Sequence, residues 1–140
     1  MRYAAALLLL ALTSCSAPQA PRPTEQGPQG FASVPRADPS TLEWSRSPEE
    51  WGNPFIIVRR DGFELISQAK PSGAPPIGVD RMRLVLLSLP RDAWPLGRVV
   101  AVQEIGIRSG NDDELIDGNS AALKTMLGEL DIQISWWPSA

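Results

Sequence analysis

Phe55-Ile56-Ile57-Val58-Arg59-Arg60-Asp61-Gly62-Phe63-Glu64-Leu65-Ile66 is the stretch that decides the fold of this chain. Phe55 to Val58 is a β-branched and aromatic run, bounded upstream by the loop signal Asn53-Pro54. Phe63 to Ile66 is a second short run that alternates in and out, and Asp61-Gly62 lies between the two. Asp-Gly flanked by such runs predicts a tight β-hairpin with both turn residues at positive φ, because that twist matches the twist of the paired strands. A hairpin alone cannot bury its apolar face, so the fold class depends on the elements that pack against it.

Downstream, Lys70 to Gly78 carries Pro71, Gly73, Pro75 and Pro76 and reads as a loop. Asp80 then suits a helix N-cap, and Met82, Val85, Leu86 and Leu89 share one stripe at helical spacing. Leu84 and Leu87 widen that face, and Pro90 limits the helix. After the loop Trp94-Pro95-Leu96-Gly97, Val99-Val100-Ala101-Val102 is apolar without alternation, the mark of a strand covered on both faces. The pattern allows that strand to reach Ile107. Ser109 to Gly118 is polar and glycine-bracketed, after which Asn119 is placed to cap a second helix that buries Leu123, Met126, Leu127 and Leu130. Ile132, Ile134 and Trp136 alternate with Gln133, Ser135 and Trp137 in a last strand, stopped by Pro138. The order β-β-α-β-α-β predicts a small α+β two-layer sandwich over residues 51–138, with both helices on one face of a four-stranded sheet. A domain of this size buries only about 60–65% of its unfolded surface, so its Leu, Val and Ile stripes are read as core.

The order and character of these pieces resemble the periplasmic domain of the ExbD/TolR family of energy-coupling proteins. The resemblance is carried by Ile57 to Ile66 with its Asp-Gly turn, the Met82–Leu89 helix, the Val99–Val102 strand, and Leu123 to Ile134. It implies a periplasmic binding or assembly domain of similar shape. That family also has a transmembrane helix bearing a functional Asp, where this chain has a leader of another kind, so proton-driven work is not implied.

Upstream, Arg2 precedes an unbroken apolar run from Tyr3 to Leu12. The run is far short of the roughly 20 residues that span a bilayer, and its layout is that of an export signal. Leu12-Thr13-Ser14-Cys15 resembles the lipobox of bacterial lipoproteins. That resemblance implies a signal peptide over residues 1–14, a diacylglyceryl group on the Cys15 thiol, and acylation of the amine freed by cleavage. The other reading is an ordinary secretory signal that leaves an unpaired thiol. Ser16, where an Asp would imply retention at the inner membrane, implies an outer-membrane anchor facing the periplasm. From Cys15 to residue 50 the chain carries Pro18, Pro21, Pro23, Pro28, Pro35, Pro39 and Pro48 among Gln, Ser, Ala and Gly. This composition offers little apolar surface to offset chain entropy and predicts a disordered tether. Of the apolar residues that interrupt it (Phe31, Val34, Leu42 and Trp44), the last two are expected to pack loosely on the domain.

Composition removes several function classes. Thirteen Lys and Arg against 16 Asp and Glu give a net charge of −3, and Arg59-Arg60 and Arg81/Arg83 are the only basic clusters. No nucleic-acid partner is therefore expected. The chain has no histidine and its one cysteine is Cys15, which excludes Cys/His zinc sites, Cys-His nucleophile pairs and Ser-His-Asp triads. Asn111-Asp112-Asp113-Glu114 with Asp117 is the densest acidic cluster. Its spacing is not that of an EF-hand, and it reads as a solvated loop whose charge favours the following helix N-terminus. No metal or cofactor is expected.

Two functional readings remain. In the first, a lipid at Cys15 fixes the chain to a membrane and the domain binds an envelope protein or peptidoglycan without catalysis. Trp137, adjacent to Trp136 on a strand and so facing the other way, is the candidate contact residue, with Trp94 and Trp51 beside it. In the second, Glu64, Glu104 and Asp112 supply a carboxylate pair for a small hydrolase acting on cell-wall glycan.

Overall fold

A computed structural model describes residues 28–41, 48–67, 73–106 and 110–138. The leader, Cys15, Leu42 and Trp44 lie outside these residues. The elements are α1 (Pro28–Ala32), α2 (Pro48–Trp51), β1 (Phe55–Arg59), β2 (Gly62–Ile66), α3 (Val79–Ser88), β3 (Val99–Glu104), α4 (Asn111–Glu129) and β4 (Gln133–Trp136). The four strands form one sheet in the order β2-β1-β3-β4; β1 pairs antiparallel with β2 and parallel with β3, and β3 pairs parallel with β4. This is the α+β architecture that the pattern of residues 51–138 predicts.

Both faces of the central strands are covered, which is why Phe55 to Val58 and Val99 to Val102 read as unbroken apolar runs. Ile56, Val58, Phe63, Leu65, Val100 and Val102 face α3 and α4, packing with Met82, Leu86, Leu123 and Leu127. Phe55, Ile57, Val99 and Ala101 line the opposite face, where no long helix lies among the described residues. Trp51, Ala37 and the half-buried Trp137 cover that face instead.

The folded body extends upstream of the predicted boundary at residue 51. Phe31, Val34 and Ala37, within the stretch whose composition predicts a tether, are 6%, 2% and 7% exposed. Phe31 meets Trp94 edge-on at 5.4 Å between ring centroids, and the Arg98 guanidinium lies 4.9 Å from the centre of its ring. The Arg98 N–H donates to Pro35 O at 2.9 Å. Gly97, at φ +79, lets the chains approach this closely, since a Cβ there would lie 2.9 Å from the carbonyls of Pro35 and Arg36. Three buried apolar residues thus outweigh the prolines around them.

Three local expectations are corrected. The hairpin turn is Arg60-Asp61, because Arg59 pairs with Gly62, and Asp61 is not at positive φ. Gly62 alone takes φ +131, and a Cβ on it would sit 2.7 Å from Ile77 O, where residue 77 bonds along the outer edge of β2. Helix α3 begins at Val79 with no side-chain cap, and Asp80 lies in its first turn, facing the positive end of the helix dipole. Helix α4 begins at Asn111 rather than Asn119, so the acidic cluster is its first turns and not a loop.

Candidate functional site

The parallel strands β1, β3 and β4 all point one way, and their C-terminal ends define the upper end of the domain. Open sheets commonly bind ligands in the crevice beyond the carboxyl ends of their parallel strands. Here a cleft of about 830 Å³ opens at that position. The end of β1 and the hairpin turn supply Arg59, Arg60 and Asp61, β2 supplies Glu64, and the segment before α3 supplies Gly73, Ala74, Pro75 and Pro76. The chain after β3 adds Ile105 and Gly106, and α4 adds Asp112 and Ile116. A Cβ on Gly106 would meet Ile116 Cδ1 at 2.8 Å, so a side chain there would have to push the end of Ile116 aside.

Two ion pairs of unlike character line the cleft. Arg59 Nη2 donates to Glu64 Oε2 at 2.8 Å, and the Gly73 N–H donates to Glu64 Oε1 at 2.9 Å. Glu64 is only 7% exposed. The Gly73 N–H first, and the Arg59 guanidinium after it, hold the Glu64 carboxyl below its ordinary pKa despite the opposing effect of burial. The second pair, Arg60 with Asp112, is longer, with Nη1 at 3.4 Å from both carboxylate oxygens, and its side chains are 64% and 32% exposed. Asn119 lies within α4 rather than at its cap, and its Nδ2 donates to Arg59 O at 2.8 Å and Arg60 O at 3.3 Å, tying α4 to the hairpin turn.

Of the three carboxylates that sequence patterning nominates, Glu64 and Asp112 line the cleft together, while Glu104 accepts a 2.7 Å bond from Ser120 Oγ. Both Glu64 oxygens are engaged and the group is held ionised, so Glu64 lacks the proton that a general acid must donate. Among the described residues no group of three or more potential ligands converges on a metal position, and no helix is long and apolar enough to cross a membrane.

The tryptophans fall into two groups. Trp51 and Trp137 come together, their centroids 6.1 Å apart, and Trp137 also meets Phe55 edge-on at 4.9 Å. Trp94 packs across the sheet from them, against Phe31. Trp51 and Trp94 are each 3% exposed, so they support surface without forming it. Trp137 is half-buried, and its neighbour Trp136 is the outward ring at 42% exposure. The Nε1 atoms of Trp94 and Trp137 are buried with no hydrogen-bond partner among the described residues.

No family model, curated protein or solved structure matches the chain. The likeness to the ExbD/TolR domain therefore rests on the order and character of the elements alone. The site has to be read from its own geometry. Patterning nominates Glu64 and Asp112, but not Arg60, Pro75 or Ile105, which share no motif and come together only because β2 returns beside β1 and α4 starts above β3. The signal available in the sequence is the position of Arg59-Arg60, directly after an apolar strand.

Proposed function

We propose that this protein is an envelope lipoprotein, anchored in a membrane through lipid on Cys15, whose α+β domain binds an envelope partner without catalysing a reaction. The observation that carries the reading is Leu12-Thr13-Ser14-Cys15 at the end of a short apolar run, with Cys15 the only cysteine in the chain. Anchoring by several acyl chains is effectively stable, since each buried methylene contributes about 0.8 kcal/mol. Ser16 favours an outer-membrane anchor facing the periplasm. The partner is a protein or cell-wall component, and confinement near it raises effective concentration enough for a weak contact to hold.

Binding is favoured over glycan hydrolysis by the engaged, ionised state of Glu64, which leaves it no proton to donate to a leaving group. It is further supported by where the ends lie. Helix α1 packs near the C-terminal end of α3, with Gly30 beside Leu89 O, and residues 35–36 pair with Arg98 just below β3. The chain thus enters the domain at the base, and the cleft opens at the opposite end. Cell fractionation of Cys15→Ser tests the anchor. The variant is expected in the soluble fraction, without incorporation of labelled palmitate. Sedimentation with membranes like the parent protein would refute the reading.

A further inference from the structure

The upper cleft carries features that select a ligand class. Its two ion pairs divide the labour. The covered Glu64 and the half-exposed Arg59 form a short pair braced by the Gly73 N–H, and so make a fixed wall. Charge-assisted N–H···O bonds run at about 2.7–2.9 Å. At 3.4 Å the Arg60–Asp112 pair is looser than that, and both side chains reach solvent. A guanidinium has five N–H donors in a planar fork suited to a carboxylate, and the Arg60–Asp112 contact uses only Nη1. The rim therefore presents a cation and an anion side by side, each able to take a better partner. Beside them stand the apolar surfaces of Pro75, Pro76 and Ile105. The cleft volume lies inside the range of about 300–1,000 Å³ typical of small-molecule sites.

We infer that this cleft binds an α-amino-acid head group, its carboxylate on Arg60, its ammonium on Asp112, and its aliphatic chain against Pro75, Pro76 and Ile105. A ligand with both charges on one carbon replaces the loose pair without leaving either residue unpaired. A ligand of single charge engages only one of them and forgoes the second charge-assisted bond. The head group can belong to a free amino acid or can end a side chain of a larger envelope molecule. The inference deepens the proposed binding function and rests on that reading of the cleft, but not on the lipid anchor.

Isothermal titration of the full-length chain in detergent micelles tests it, with L-norleucine as the free amino acid and Nε-acetyllysine as a head group on a longer chain. Saturable binding near or below about 1 mM is expected for one or both, and the tighter of the two identifies the source. Nα-acetyl-norleucine and norleucinamide, which each lose one charge, are expected to bind at least about tenfold more weakly. Arg60→Gln and Asp112→Asn should each weaken the uncapped probes by about tenfold while changing the affinity for the correspondingly capped probe little. Equal affinity for capped and uncapped probes, or no saturable heat with either, would overturn the inference. Because fractionation of Cys15→Ser reads the anchor alone, failure of the titration leaves the anchor reading intact and removes the ligand.

Discussion

Glu64 occupies an alternate position of β2 where a half-buried strand would show a solvated residue, yet it is covered because the sheet is packed on both faces. Its carboxylate is held below the ordinary value of 4.5, first by the Gly73 N–H and then by Arg59. A depressed carboxyl adds stability that is present above the unfolded pKa and is lost as pH falls through the folded one. Glu64→Gln keeps the shape but removes the charge. It is expected to lower unfolding free energy at neutral pH by about 1.5–3 kcal/mol, the range for a hydrogen bond to a charged group. The deficit should shrink as pH falls below 4.5, because the unfolded parent takes up a proton there and the folded parent only at lower pH, while the variant does not titrate. Urea denaturation at a series of pH values measures it, and a deficit constant down to pH 3 would contradict the assignment. Asn53 shows the limit of reading single residues. In sequence Asn53-Pro54 marks only a loop, but the side chain is 2% exposed and bonds to Gly97 O, Val99 O and the Leu96 N–H. Those partners lie more than forty positions away, beyond the reach of any local pattern.

Elements with strong local periodicity are legible in the sequence, and the rest obey tertiary context. The Met82–Leu89 stripe, the unbroken Val99–Val102 run and the alternation after Ile132 each predict an element close to the one observed. The start of α4 is not legible, because Gly118 and the run Asp112-Asp113-Glu114 look like loop composition. In the fold the three acids lie in the first turn, where negative charge is favourable, and Gly118 sits on the exposed side of the helix with open space around it. A solvent-facing glycine within a helix is destabilising by roughly 0.5–1 kcal/mol relative to Ala. Gly118→Ala is therefore expected to raise the unfolding free energy by about that amount, read as a higher thermal midpoint in calorimetry. A lower midpoint would mean that α4 does not run continuously through residue 118. The same competition explains α1. Phe31 and Val34 are spaced to bury one face of a single turn, and that burial is invisible to a composition count dominated by proline.

At the scale of the molecule, the packing of residues 31–37 changes what the upstream segment can do. If lipid sits on Cys15, the link to Pro28 comprises thirteen peptide steps (28 − 15) and spans at most about 45 Å at 3.3–3.6 Å each. Such an anchor would confine the domain near the bilayer and attach it by its base, while β3 alone separates base from cleft by about 20 Å over its six residues. With that anchor, a partner bound in the cleft is expected on the side away from the membrane. The prediction can be read with two single-cysteine labels, one replacing exposed Ser33 at the base and one replacing exposed Asp61 at the rim, in full-length lipidated protein on vesicles. Nitroxide-bearing lipid head groups should quench a fluorophore at position 33 more than one at position 61. Equal quenching would mean that the tether lets the domain tumble freely, and stronger quenching at 61 would turn the cleft toward the bilayer. Only the first outcome lets a lipid anchor of this length present the cleft outward, because a link attached beside the cleft would hold the site against the surface it is tethered to.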